Sequence, residues 1–315
     1  MRRVMTGSFL GFLATAVFLA ACGAGGGGAG ASAGGGLTMA DVDARLAPLE
    51  AELTSARADL IVAQETIAML QGSVSDLDAL LQHFSRVGNE VYLTGANLHV
   101  VNGQGGTETT NALGNVIIGY NESRGSGDVR TGSHMLVVGS LNNYSSFGGL
   151  AVGRLNTTSG AYASIAGGET NTASGKHASI SGGEGNTASG AWAWIGGGQQ
   201  NVASGSNSSV GGGDGNAATG NTSSVSGGWG NESSGVSAWI GGGRGNLANG
   251  QCGSVSGGRD NIAGGTGSGT NDYTSVTGGE GNVANGQSAT VSGGHSRTTG
   301  TSTYKWVAGG LSQSD

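Results

Sequence analysis

Residues 178–190 read Ala178-Ser179-Ile180-Ser181-Gly182-Gly183-Glu184-Gly185-Asn186-Thr187-Ala188-Ser189-Gly190, and this frame recurs along the second half of the chain. Its aliphatic residue returns every fifteen positions, as Leu150, Ile165, Ile180, Ile195, Val210, Val225, Ile240 and Val255. Six residues later an asparagine keeps the same step, as Asn156, Asn171, Asn186, Asn201, Asn216, Asn231, Asn246 and Asn261. Self-similarity at a fixed period marks stacked units, each burying its apolar face on the next. The pattern predicts a mainly β protein, a parallel β-roll or solenoid of fifteen-residue coils. Within a coil the aliphatic residue and the one two before it share parity, as in Ala163/Ile165, Ala178/Ile180, Ala193/Ile195 and Ala238/Ile240. In a strand both side chains point to the same side, here into the coil. A second short strand follows the asparagine with Ala173, Ala188 or Ala203, and glycine pairs supply turns that need positive φ. The in-register asparagines predict a ladder of side-chain amides of the kind seen in cross-β stacks.

Composition agrees with a thin repeat. Glycine supplies 68 of 315 residues, Pro48 is the single proline, and charged residues are 10% of the chain. The glycines follow no G-X-Y rule, which excludes collagen. Such a composition suggests disorder, but a disordered linker has no reason to keep phase. The net charge is −7 and the only lysines are Lys176 and Lys305, so no basic patch exists for a nucleic acid.

Residues 1–21 read as an export signal. Arg2 and Arg3 precede an apolar run from Phe9 to Ala21, which ends Leu19-Ala20-Ala21-Cys22. The ending resembles the lipobox of bacterial lipoproteins, and the resemblance implies that Cys22 is acylated and becomes the first mature residue. Glycine rather than aspartate at position 23 fits sorting to the outer membrane by the same resemblance, so the chain is expected to be lipid-anchored there, at the cell surface or beyond. Residues 22–37 then form a Gly-rich tether. Cys252, left without an intrachain partner, is expected to be a small buried side chain, the alternative being that it meets its copies in an oligomer.

Residues 38–87 carry a heptad pattern. Met39, Val42, Leu46, Leu49, Leu53, Ala56, Leu60, Ala63, Ile67, Leu70, Val74, Leu77, Leu81 and Phe84 fall alternately three and four apart. This predicts an N-terminal α-helical coiled coil and therefore partner helices, without separating dimer from trimer. Thr38 with Asp41 offers a capping box, and Pro48 either kinks the helix or marks its start. Residues 88–149 read as a β-rich transition. Val91/Leu93 and Leu98/Val100 suggest a hairpin turning at Thr94-Gly95-Ala96-Asn97, and Val116–Gly119 and Leu136–Gly139 look like early coils. Residues 150–315 form the roll, with six extra residues, Gly267 to Asp272, before Val276 and an irregular cap around Trp306. Each coil buries one aliphatic residue and a few alanines. At ~25 cal/mol per Å² that does not offset ordering the coil at roughly 1–2 kcal/mol per residue. Self-association of the roll is therefore expected as well.

The run Ser-Ile-x-Gly-Gly-x-x-Asn-Thr-Ala-Ser-Gly, present at Ser179–Gly190 and at Ser164–Gly175, resembles the head repeats of YadA-type trimeric autotransporter adhesins. The resemblance extends over roughly Val116 to Gly310. It implies a homotrimer of left-handed parallel β-rolls on a three-stranded stalk, with a role in adhesion or cell-surface contact. The order here (lipid, tether, stalk, head) is the reverse of that family's. No alternating lipid-facing strands follow the repeats, so neither the export route nor a specific host ligand is carried over.

No chemistry is legible. The histidines His83, His99, His134, His177 and His295 are scattered without a nucleophile pattern, and the calcium nonapeptide and phosphate-binding loops are absent. The chain is expected to be no enzyme, with no cofactor and no metal. Asp214, Asp260, Glu184 and Glu280 read as solvated turn carboxylates. Outward positions one and three before the aliphatic residue hold mainly Ser, Thr and Asn. At some coils they hold Tyr162, His177, Trp192, Trp194, Trp239 and Tyr273. These aromatics suit either a glycan or protein ligand or the interface between subunits. A structural spacer or fibre subunit without a ligand is the alternative function.

Overall fold

The structure, a computed structural model, describes residues 38–265 and 273–309. The export signal, Cys22 and the tether lie outside the described residues. The chain divides after Ala96 into two units.

The first unit holds helix α1 (Met39–Leu81) and a hairpin of β1 (Phe84–Val87) and β2 (Glu90–Leu93). Thr38 caps the helix. Its Oγ1 accepts from the Asp41 N–H at 3.3 Å, and its own N–H donates to the Asp41 carboxylate at 2.9 Å. The helix therefore begins at Thr38 and runs through Pro48 in an early turn. No residue of α1 is buried within one chain, and its seam residues Leu46, Leu53, Leu60, Ile67, Val74 and Leu77 are all exposed. The heptad pattern continues to Phe84, but the helix stops at Leu81 and Phe84 opens a strand. The hairpin also differs from the expected one. It turns at Gly88-Asn89, where Gly88 has φ +60°, because a Gly-containing two-residue turn matches strand twist. Leu98 and Val100 are in no strand.

The second unit is a parallel solenoid. Its first-strand column starts with β3 (Val116–Ile118) and β4 (Leu136–Ser140) and builds a thirteen-stranded sheet ending at Trp306–Val307. The second-strand column builds a ten-stranded sheet from Asn143–Tyr144 to Val283–Ala284. Pairing is parallel with residues fifteen apart in register, as in Ile180↔Ile195 and Ala188↔Ala203. The fold class read from the period is the one observed. A third column of single bridges, Arg154, Glu169, Glu184, Gln199, Asp214, Trp229, Arg244, Arg259, Glu280 and His295, gives each coil a third side.

The core is a file of fully buried residues: Ala and Ile or Val from the first strand, Ala from the second. One expected member is misplaced. Leu150 pairs with Ser164 on the outer side, and Ala151 is the residue beneath Ile165. The cause lies one coil earlier, where Met135, Val137 and the Tyr144 ring form a bulkier cluster that leaves room for only a methyl above it. The insertion does not break the stack. Val255 pairs with Val276 and Ile262 with Val283, so both sheets continue across it; Gly267 to Asp272 themselves lie outside the described residues. One glycine per coil is obligatory. Gly168 has φ +84°, and a methyl there would fall on the carbonyl oxygen of Gly183 in the next coil.

Two measurements check this description. The hydroxyls of Ser208, Ser223 and Ser233 are buried without a hydrogen-bond partner, at places where other coils carry Ala. Each Ser→Ala change is expected to stabilise the solenoid by about 1 kcal/mol in thermal unfolding; a loss of stability would reveal a partner for the hydroxyl. The hydrogen bonds from Thr38 hold the Asp41 carboxyl below the ordinary carboxylate range. A depressed folded value means the cap contributes above the unfolded pKa and is lost as pH falls through the folded one. Amide exchange at Asp41 and Val42 is expected to accelerate in acid, and Asp41→Asn to remove that pH dependence.

Candidate functional site

The outward columns of the solenoid are where a partner would meet it, and the inner scaffold fixes them. The Asn column holds the coils in register. Asn171 Oδ1 accepts the backbone N–H of Asn186 at 2.9 Å, while its Nδ2 donates to the carbonyls of Gly167 at 3.3 Å and Gly183 at 2.9 Å. Every asparagine of the column from Asn156 to Asn261 repeats this, fully buried or nearly so. The ladder differs in kind from the expected amide-to-amide stack, because its main bonds go to backbone. Direct amide-to-amide bonds of 3.0 to 3.1 Å occur only from Asn231 onward. It also has two further rungs, Asn142 and Asn282, and ends on the Arg297 N–H. The sequence hid them because neither keeps the fifteen-residue step from its neighbour.

The aromatics separate into two arrangements. Tyr162, His177 and Trp192 occupy one corner, each at φ between 56° and 59°. Their rings stack along the coil direction, Tyr162 on His177 at 5.2 Å and His177 on Trp192 at 5.5 Å, nearly parallel. Phe147 meets Tyr162 edge-on at 5.2 Å. His177 is sandwiched between the other two rings, and Trp192 gives it one face. Tyr162 also donates its hydroxyl to Glu108 at 2.9 Å, which raises the phenol's pKa because the bond needs the neutral form.

Trp194 and Trp239 are different. They sit in the first-strand column, with exposures of 43% and 41%. Each indole lies over the glycine two residues along its strand. A methyl on Gly196 would be 2.9 Å from Trp194 Cη2, and one on Gly241 equally close to Trp239 Cη2. These rings therefore reach over the glycines of their own strands and stay partly exposed. Ser209 and Ser224 occupy the two coils between them, with their hydroxyls bonded to each other at 2.9 Å. Trp306, in the same column, donates its indole N–H to Ser292 at 2.6 Å. Tyr273 is exposed, and among the described residues it makes no ring stack.

Charge is confined mainly to the bridge column. Arg154 pairs with Glu169 and Arg259 with Glu280, and the Arg244 guanidinium lies 4.7 Å over the Trp229 ring. Sequence reading treated this column as turns and so missed Trp229; its signal is a residue four after each aliphatic. Cys252 is exposed at the aromatic corner rather than buried. The outer side of the second-strand sheet begins with Thr157, Thr172 and Thr187. It becomes apolar at Val202, Ala217, Leu247, Ile262 and Val283, broken by Glu232. No family model matches this sequence, and no curated protein does either.

The geometry orders the cost of substitution. Ile195→Ala is expected to cost about 2–5 kcal/mol, since no neighbour can refill the file. Asn201→Ala strands the N–H of Asn216 and the carbonyl of Gly197 and removes one of the two bonds to the carbonyl of Gly213, which keeps Gln199 N–H, and is expected to cost about as much. Trp192→Gly loses one stacking contact but relieves a left-handed non-glycine residue, so its net effect is expected to stay within about 1 kcal/mol. Urea unfolding of the three variants tests the order; a Trp192→Gly loss matching that of Ile195→Ala would make the aromatic corner part of the core.

Proposed function

We propose that the chain is a self-associating, non-enzymatic surface protein, lipid-anchored through Cys22, whose β-roll head makes adhesive or other cell-surface contacts. The observation that carries this reading is the pair of unpaired apolar surfaces on the two units. Helix α1 spans 43 residues with its whole seam exposed, and such a narrow seam is stable in water only against partner helices. The second-strand sheet adds an apolar outer stripe from Val202 to Val283. The resemblance to YadA-type heads favours three copies, and the lipobox favours the bacterial outer membrane. The β-solenoid itself is compatible with an extended surface or fibre-like protein. The near-uniform Ser/Gly surface favours the second reading, a spacer or fibre subunit without a ligand.

Sedimentation equilibrium of residues 38–315 is expected to give a trimer at micromolar concentration. Leu60→Lys with Ile67→Lys is expected to lower the association state, and Leu247→Lys with Ile262→Lys to weaken contacts between rolls. A wild-type monomer at that concentration would sink the self-association. An antibody against the roll is expected to label intact cells; labelling only after the outer membrane is permeabilised would refute the surface role.

A further inference from the structure

The flat first-strand face carries an inference that rests on the surface-contact reading and names its ligand class. We propose that Trp194 and Trp239 form a two-point stacking platform for an extended neutral polysaccharide lying along the solenoid.

Three observations converge. The first is an open ring. Each indole reaches over its own strand to a glycine, Gly196 or Gly241, stays 43% or 41% exposed, and among the described residues has no other ring stacked on it. An aromatic face is electron-rich, and the C–H-bearing face of a pyranose ring complements it. Tyr162 and His177 stack on each other, and Trp192 gives one face to His177 and stands at the corner rather than on the first-strand face.

The second is charge. From the coil of Trp194 to that of Trp239, the segments crossing this face read Ala191-Trp-Ala-Trp-Ile-Gly-Gly-Gly198, Ser206-Asn-Ser-Ser-Val-Gly-Gly-Gly213, Asn221-Thr-Ser-Ser-Val-Ser-Gly-Gly228 and Val236-Ser-Ala-Trp-Ile-Gly-Gly-Gly243. None contains an ionisable side chain. An anionic polymer would find no counter-charge here, whereas a neutral one meets hydroxyls and backbone. The third is spacing. Three coil steps separate the two indoles, about 14 Å at ~4.8 Å per step. Ser209 and Ser224 lie between them with short, hydrogen-bonding side chains. A single sugar cannot span that distance, but an extended chain can.

A second copy of the protein is the competing occupant. It would need an apolar centre, yet two indoles among serines and glycines provide little. The opposite sheet, with Val202, Leu247, Ile262 and Val283, is the more apolar of the two.

The test uses the full chain in detergent micelles, with microcrystalline cellulose and chitin as neutral probes and alginate as the anionic one. The wild type is expected to co-sediment with at least one neutral polymer and not with alginate. Trp194→Ser with Trp239→Ser is expected to lower retention at least tenfold, Trp192→Ser to leave it within twofold, and Trp194→Tyr with Trp239→Tyr to restore most of it. Circular dichroism and sedimentation velocity of each variant are expected to match the wild type. No retention on either neutral polymer, undiminished retention by the double Ser variant, or loss of self-association in that variant would each overturn the proposal, the last by giving the face to a second copy. Failure of the surface role is separate: it appears as absent antibody labelling on intact cells while retention in vitro persists.

Discussion

Everything in the solenoid depends on satisfying backbone groups inside a coil too thin to hide them. Each coil turns at its corners and leaves carbonyls there, within a core made mainly of methyl and aliphatic side chains. The buried asparagine resolves this. One amide accepts an N–H from the coil above and returns two hydrogens to carbonyls, one in its own coil and one in the next. Since an orphaned buried polar group costs about 1–3 kcal/mol, the column is as necessary as the aliphatic file beside it. The obligatory glycine follows from the same crowding, because the carbonyl received by the amide occupies the volume a Cβ would need.

That scaffold leaves the outer surface free to vary, and the three sides of a coil have varied differently. One side carries indoles among hydroxyls, another two separate ion pairs and a guanidinium on an indole, and the third changes from threonine to aliphatic along its length. A repeat protein holds its stability in nearest-neighbour contacts. A change in an outward residue is therefore felt by the adjacent coils alone. The aromatic corner illustrates the separation: its left-handed backbone is retained whether the residue is Trp192, Asn207, Thr222 or Cys252.

The period, the inward file and the Asn column were legible because each is a strict rule of position. What was hidden turns on which of two similar residues pairs. Leu150 and Ala151 are both apolar, so composition cannot choose between them; strand pairing over the Met135 and Tyr144 cluster does. The hairpin was assigned one turn too late because Gly88-Asn89 and Gly95 both satisfy turn chemistry, and only pairing with Phe84–Val87 selects the first. The aromatics were read as one class because parity tells that a ring points outward but not whether it reaches over its own strand or stacks on its neighbour. The glycine two residues after Trp194 and again after Trp239 was the available signal.

Val276 follows Val255 by 21 positions rather than fifteen, and yet both sheets proceed in register. Register is thus set by the strands on either side, Ile262–Ala263 and Ser275–Val276, and tolerates six added residues between them. The solenoid can therefore serve as a ruler with a built-in graft point, on which a foreign peptide inserted between those two strands is carried at a fixed coil number.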